Sequence, residues 1–387
     1  MRFSQRVQSL PPYLFAELER KVSARRAAGA DVISLGIGDP DMPTPPHIVE
    51  ALVAGVHDAA THQYPSNRGD LGFREAVAGY YGRRFGVDLD VETEIVPLLG
   101  AKEGVAHICL ALLDQGDVCL AADPGYPVYT SGPLLADGAA AHLRLVPEFG
   151  FQPDLEAIEP SVLARAKMIF VCYPNNPTGA VIEDDFFARL VAFARAHDLV
   201  VVHDNAYGDI TFDGYVAPSF LETPGAKEVG VELFSLSKSY NMTGWRAGAI
   251  VGNKDVVDAY WRLKTNIDSG IFRAVQRAAV AALNGPQDCV REMCVTYARR
   301  RDLLVEALRS IGLHATAPKG TIYLWAHVPE GHTSASFSEL VLNQADVVVS
   351  PGAAYGPSGE GYVRFSLTVP DARLEEAVAR IAARVRL

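Results

Sequence analysis

The stretch AKMIFVCYPNNPTG, residues 166–179, decides the fold. Its first half is apolar with almost no polar alternation. A strand wet on one face alternates polar and apolar residues. A run apolar on both sides belongs to a parallel strand covered by helices above and below. The run stops at Pro174, where two prolines and a glycine fix an unusual loop. Asn176 is then held at a strand end, with its amide available to donate and accept.

Outward from this segment the same texture repeats. C-terminally, FFARLVAFARAHD (186–198) reads as a helix, LVVVHD (199–204) as a strand, VELFSLSK (231–238) as a strand and AGAIVG (247–252) as another. N-terminally, REAVAGYYGRRFG (74–86) reads as an amphipathic helix ended by Gly86. EIVPLLG (94–100) is a short strand, AKEGVAHICLALL (101–113) a helix and DVCLAAD (117–123) a strand. Strands alternating with helices predict an α/β protein. From about Gly285 the pattern changes. A long charged helix (291–312) precedes the strand-like TIYLWAHV, DVVVSPG and GYVRFSLT, and a last helix starts at 372. We therefore expect a large domain over 46–284, a smaller α+β domain over 285–387, and residues 1–45 as an N-terminal arm and part of the small domain.

Composition narrows the function. The 387 residues are 49% hydrophobic and carry a net charge of −11 with both signs mixed throughout. That argues against a nucleic-acid groove, which needs a basic patch. No apolar run reaches the roughly 18–20 residues of a membrane span, and the N-terminus has no signal-peptide pattern. The five cysteines lack CxxC spacing. They read as reduced, mostly buried thiols of a cytoplasmic protein, with no metal role.

In open α/β sheets ligands collect beyond the C-terminal ends of the strands, and several ends here carry polar residues. Ala101 and Lys102 open a helix whose free N–H groups suit an anion, although a purely structural corner reads the same way. Tyr126, on the turn DPGYP, either stacks on a planar ring or is an ordinary half-buried tyrosine. Asp204 ends a valine-rich strand, where a carboxylate is costly without a cation or donors. It is an N-cap, a structural ion-pair partner, or the counter-ion of a cationic ring nitrogen, with Tyr207 three residues on. Lys238, in SLSKSYNMTGWR (235–246), also follows a strand. Ser235, Ser237 and Arg246 around it suit a phosphate. Proximity to Arg246 should depress the lysine pKa, and a neutral lysine condenses with carbonyls to a Schiff base. Arg364 sits inside the strand-like GYVRFSLT. It either bridges to solvent or forks onto a carboxylate. Together these residues specify a phosphorylated, protonatable aromatic aldehyde bound to lysine, which is pyridoxal 5'-phosphate.

The strings YPNNPTG, SLSKSYNMTGWR and VRFSLT resemble the fold-type I, class I/II aminotransferases, and the likeness runs over essentially the whole chain. It implies a large domain with a mostly parallel seven-stranded sheet between helices, plus a smaller α+β domain. It also implies a homodimer with shared active sites. By resemblance, Asn176 and Tyr207 contact the ring 3-oxygen, Tyr126 stacks on the ring, and Gly38 and Tyr13 lie near the substrate. Tyr64 and Asn266 reach the neighbouring subunit's site. LPPYLFAEL, FDGYVAPSFLETPGAKEVG and EGYVRFSLTVPD are most similar to the bacterial LL-diaminopimelate aminotransferases. The likeness implies ping-pong transfer of an amino group from an amino acid, LL-diaminopimelate first, to 2-oxoglutarate. The alternatives are another donor (aspartate, alanine or methionine) or a lyase or decarboxylase on the same scaffold. Asn67, Arg68, Asn205 and Ala353 depart from that subgroup's pattern. An arginine at 68 suits a distal carboxylate on the substrate in place of an ammonium.

Overall fold

The computed structural model describes residues 1–11 and 14–386. The strands are β1 Ile33–Ser34, β2 Ile95–Leu98, β3 Val118–Asp123, β4 Ala139–Arg144, β5 Ala166–Val171 and β6 Val200–Asn205. They continue with β7 Gly230–Ser235, β8 Gly248–Gly252, β9 Tyr323–His327, β10 Val347–Val348, β11 Ser350–Pro351 and β12 Tyr362–Ser366. Seven of them form one sheet in the order β2-β8-β7-β6-β5-β3-β4. β8 runs antiparallel to both its neighbours, and the other pairs are parallel. The apolar, non-alternating runs are explained by what covers them. Phe170, Val202 and Leu233 point into one hydrophobic cluster, and Ile169, Val201 and Phe234 into a second. Alternate residues of each strand thus feed opposite faces, and both faces are buried.

The helix Leu71–Phe85 stops where the sequence predicts, at Gly86 with φ 67°. A left-handed residue there turns the chain away without a side-chain penalty. Toward the C-terminus a three-stranded antiparallel sheet, order β11-β12-β9, packs with the helices Asp288–Ser310, Ser334–Ala345 and Asp371–Arg384. Its core residues Leu324, Phe337 and Phe365 continue the first cluster without a break. DVVVSPG, read as one strand, is two. Val347 and Val348 pair in parallel with Ile33 and Ser34, while Ser350 and Pro351 join the three-stranded sheet beside Arg364 and Val363. The early segment 33–34 is thereby fastened to the C-terminal part. No described helix is long and apolar enough to cross a membrane, and all five cysteines are free thiols.

Candidate active site

β2, β3, β5, β6 and β7 all end on one side of the seven-stranded sheet, and a cavity of about 340 Å³ opens there. Gly38, Ala101, Lys102, Tyr126, Asn176, Asp204, Tyr207, Ser235, Ser237, Lys238, Arg246 and Arg364 all line it. Tyr64 lies elsewhere, 85% exposed. Asn266 is also on the surface, its amide donating to the Arg262 carbonyl at 2.8 Å. Tyr13 lies outside the described residues.

Local sequence explains each position. Asn175 builds the loop after β5. Its Oδ1 accepts from the Thr178 N–H and hydroxyl at 3.0 and 2.7 Å, and its amide donates to the Cys172 carbonyl. Asn176 is thereby turned toward the small sheet, where its Oδ1 accepts from Arg364 Nη1 at 2.8 Å. Arg364 Nη2 donates to the Gly36 carbonyl at 2.7 Å. Its guanidinium lies between two rings, 3.9 Å from the centroid of Tyr323 and 4.7 Å from that of Tyr355. An arginine 1% exposed in a strand is tolerated because acceptors and aromatic faces surround its donors.

Ser235 ends β7 and caps the short helix Leu236–Ser239 by accepting from the Ser237 N–H. That turn aims Lys238 inward, where its Nζ donates to the Gly38 carbonyl at 2.7 Å. Burial of the ammonium lowers the Lys238 pKa. Tyr323 and Asp39 oppose the shift, while Arg364 and Arg246 add to it. The direction matches the sequence expectation, but enclosure is the main cause, ahead of Arg246. At the other end of the cavity Gly100 has φ 78°, and a Cβ there would stand 2.2 Å from Arg246 Nη2. Only glycine lets that arginine lie across the start of the helix Ala101–Leu112, whose N–H groups already favour an anion.

Asp204 sits at the floor. Burial raises its pKa, and a hydrogen bond from Tyr129 and the neighbouring His203 pull it back. Its Oδ2 accepts from the Tyr129 hydroxyl at 2.7 Å. Its Oδ1 is buried without a hydrogen-bond partner. Behind it, on the other face of the sheet, Glu232 is fully buried. It accepts from His203 Nδ1, Ser219, the Phe220 N–H, Tyr81 and Asn205 at 2.6 to 3.2 Å.

Sequence reasoning missed Tyr129, Tyr323 and Tyr355. Tyr323 lines the cavity, and its hydroxyl is 3.1 Å from that of Tyr207. It explains Gly38, where a Cβ would stand 2.1 Å from that hydroxyl. Nothing in TIYLWAHV distinguishes its tyrosine from a core residue; only the three-dimensional neighbours do. Tyr129, by contrast, follows Tyr126 at helical spacing and was open to notice.

The departures at 67, 68, 205 and 353 all fall outside the residues lining the cavity. The expectation that Arg68 reads a substrate carboxylate is not met within this chain. Arg68 Nη2 pairs with Asp258 at 3.1 Å, Nη1 donates to the Glu92 carbonyl, and the guanidinium stacks on Trp261 at 4.4 Å. Asn205 serves Glu232. Elsewhere, carboxylate and imidazole atoms of Glu103, His107 and Asp268 lie within 4.8 Å of one another. The Lys264 ammonium bonds both carboxylates there, at 2.7 to 3.2 Å.

Known proteins of one family match the chain over almost its whole length. The family described as aminotransferase class I and II matches residues 30–381. The LL-diaminopimelate aminotransferase of Moorella thermoacetica is 54% identical over 98% of both chains. That of Dehalococcoides mccartyi strain 195 is 53% identical over 99% of this chain and 98% of its own. Among solved structures, substrate-bound BacF from Bacillus subtilis superposes with a TM-score of 0.95 at 39% identity, covering 99% and 98% of the two chains. A probable N-succinyldiaminopimelate aminotransferase from Thermus thermophilus gives 0.90 at 36%, covering 96% and 99%.

Proposed function

The chain belongs to the class I and II aminotransferases, and from that premise we propose that it moves an amino group from LL-diaminopimelate to 2-oxoglutarate with pyridoxal 5'-phosphate. The observation that carries the cofactor reading is the convergence of Lys238, Asp204 and Arg364 on one cavity. The residues fit the group. The orphan Oδ1 of Asp204 suits a cationic ring nitrogen. The glycine-cleared corner under Arg246 suits a phosphate. The lysine whose pKa is depressed supplies an amine.

When bound, the cofactor supplies a carbonyl for amine exchange and a ring that withdraws electrons from the substrate α-carbon. Arg246, Ser235, Ser237, Lys102 and the Ala101 N–H would hold its phosphate. Asp204 would keep a proton on the ring nitrogen, Asn176 and Tyr207 would bind the 3-oxygen, and Tyr126 would pack on the ring. Arg364 grips the substrate α-carboxylate through its planar fork, pre-aimed by Asn176 and Gly36. Lys238 Nζ, neutral at lower pH than an ordinary lysine, takes the α-proton and returns it. One site serves both half-reactions, amino acid in and oxo acid out, then the reverse.

Two points support diaminopimelate over aspartate. The relatives of highest quoted identity carry that name across their whole length. Glu19 and Asp39 also line the cavity, which suits a second ammonium on the donor, and Arg68 is engaged away from it. Fold alone does not choose, since neighbours with other substrate names share it. The active unit is proposed as a homodimer. Val49, Val53 and Val56 form an exposed apolar stripe on the helix Pro46–His57, and Ile267 and Phe272 are exposed apolar residues flanking the turn that follows Asn266. Residues 46–284 and 285–387 are proposed as the two domains, with 1–45 as the arm and part of the small domain. The free thiols suit a reducing compartment, and the cytoplasm is the proposed location.

The test is a donor panel with 2-oxoglutarate: LL-diaminopimelate, aspartate, alanine, methionine and lysine. Preference for any donor other than LL-diaminopimelate rejects the substrate. A colourless protein with no borohydride-trapped adduct on Lys238 after incubation with pyridoxal phosphate rejects the cofactor.

A further inference from the structure

Tyr129 has no part in the chemistry above, yet it makes the one side-chain hydrogen bond to Asp204 among the described residues. It lies in the second position of the helix Val128–Leu135 and is 1% exposed. Its hydroxyl donates to Asp204 Oδ2 at 2.7 Å. Its ring is clamped from the other side, stacked on Phe170 with centroids 4.9 Å apart and planes 19° from parallel. Phe170 and Asp204 stand on adjacent strands, β5 and β6, so both contacts are set by the sheet. The hydroxyl cannot swing away without breaking the stack.

A carboxylate has two oxygens and needs donors on both when enclosed. Here one oxygen is satisfied from within the chain, and the other, Oδ1, is buried with no partner. We infer that Tyr129 is a positioning residue that occupies Oδ2, favours the ionised form of Asp204, and leaves Oδ1 as the oxygen that meets the protonated ring nitrogen of the cofactor. The inference rests on the cofactor reading above. A hydrogen bond donated to a carboxylate stabilises the anion. Without it, the proton shared between Asp204 and the ring nitrogen moves toward Asp204. The ion pair becomes a pair of neutral groups, and the site discriminates less in favour of a basic ring nitrogen. Phe170 fixes where the donor stands, so the direction of the hydrogen bond is set before any ligand arrives.

The experiment compares two ligands in the purified full chain: pyridoxal phosphate and its ring-carbon analogue, in which C–H replaces the ring nitrogen. The dissociation constant of each is measured by equilibrium dialysis. The ratio of the two constants reads the ring nitrogen alone. Tyr129→Phe keeps the stack on Phe170 and removes only the donor. The expected result is a preference for pyridoxal phosphate that falls about ten-fold or more in Tyr129→Phe, the size of a hydrogen bond to a charged group. Arg246→Met, at the phosphate corner, should weaken both ligands by a similar factor and leave the ratio unchanged. A second variant guards against loss of the fold. 3,5-Difluorotyrosine at position 129 is a stronger donor of nearly the same shape, and it should raise the preference. An unchanged ratio in Tyr129→Phe, whether both ligands bind normally or both bind worse, overturns the inference, as does a fall with difluorotyrosine. If the unaltered chain binds neither ligand, the cofactor reading itself fails. If it binds both equally, the lysine and phosphate parts of that reading stand, and the roles given to Asp204 Oδ1 and to Tyr129 both fail.

Discussion

Replacing Arg364 by lysine isolates what the guanidinium does beyond carrying charge. In the structure its two terminal nitrogens donate to Asn176 Oδ1 at 2.8 Å and the Gly36 carbonyl at 2.7 Å, and its plane lies on Tyr323 and Tyr355. A lysine keeps one positive charge, but it cannot make both internal bonds and also present a fork to a carboxylate. At least one charge-assisted hydrogen bond to the substrate is lost or misaligned. Such a bond contributes about 1.5–3 kcal/mol, and 1.4 kcal/mol is ten-fold in affinity. Arg364→Lys should therefore raise the KM for the amino-acid donor by about ten- to a hundred-fold. A diamine with no carboxylate, such as cadaverine, should react with the unaltered and altered enzymes within about three-fold of each other. Single-turnover half-reactions followed by near-visible absorption give both numbers on one sample. Equal loss for the acid and the amine would mean that Arg364 shapes the cavity without gripping the carboxylate, and the reasoning would be wrong.

Three further outcomes follow from named contacts. Lys238→Met should abolish turnover and the borohydride adduct. Because burial depresses the Lys238 pKa, the unfolded chain holds that proton more tightly. The cofactor-free protein should then gain stability as pH rises from the depressed value toward the ordinary lysine value of about 10.4. The Met variant should lose this slope in urea titrations, and a retained slope assigns it to other groups. Glu232→Gln strikes a fully buried carboxylate. Burial opposes its charge, but His203 and the surrounding donors hold its pKa below the ordinary value. Stability from that group is complete above about pH 4.3 and is lost as pH falls through the lower folded value. The variant should lose about 3–5 kcal/mol at pH 7, with the gap closing in acid; a gap constant down to pH 2 contradicts the account. Arg68→Met should leave the KM for 2-oxoglutarate within about two-fold and cost under about 1 kcal/mol of stability, as for a half-exposed pair. A ten-fold rise in that KM would return Arg68 to the substrate site.

The sequence alone was enough for the sheet strands that are punctuated locally. β5, β6 and β7 are apolar runs stopped by Pro174, Asp204 and Lys238, and their burial on both faces is written in their lack of alternation. The polar strand ends were equally legible, because a charged or amide side chain just past a buried run needs a reason to be there. Pairing and direction were beyond its reach. β8 runs antiparallel, and β4, the edge strand AAAHLR, carries almost no β-forming signal. DVVVSPG divides between two sheets because one partner, Arg364, follows soon after it while the other, Ile33, lies at the far end of the chain. The same limit applies to the site. Arg68 looked available in one dimension and is held by Asp258 and Trp261 in three. Tyr323 and Tyr355 acquire meaning only from Gly38 and Arg364. Hydrophobic period and turn chemistry act over a few residues and can be read in order along the chain. Hydrogen bonds and ring contacts between residues far apart in the chain, such as Tyr129 with Asp204 and Arg68 with Asp258, arise only once the fold has brought those residues together.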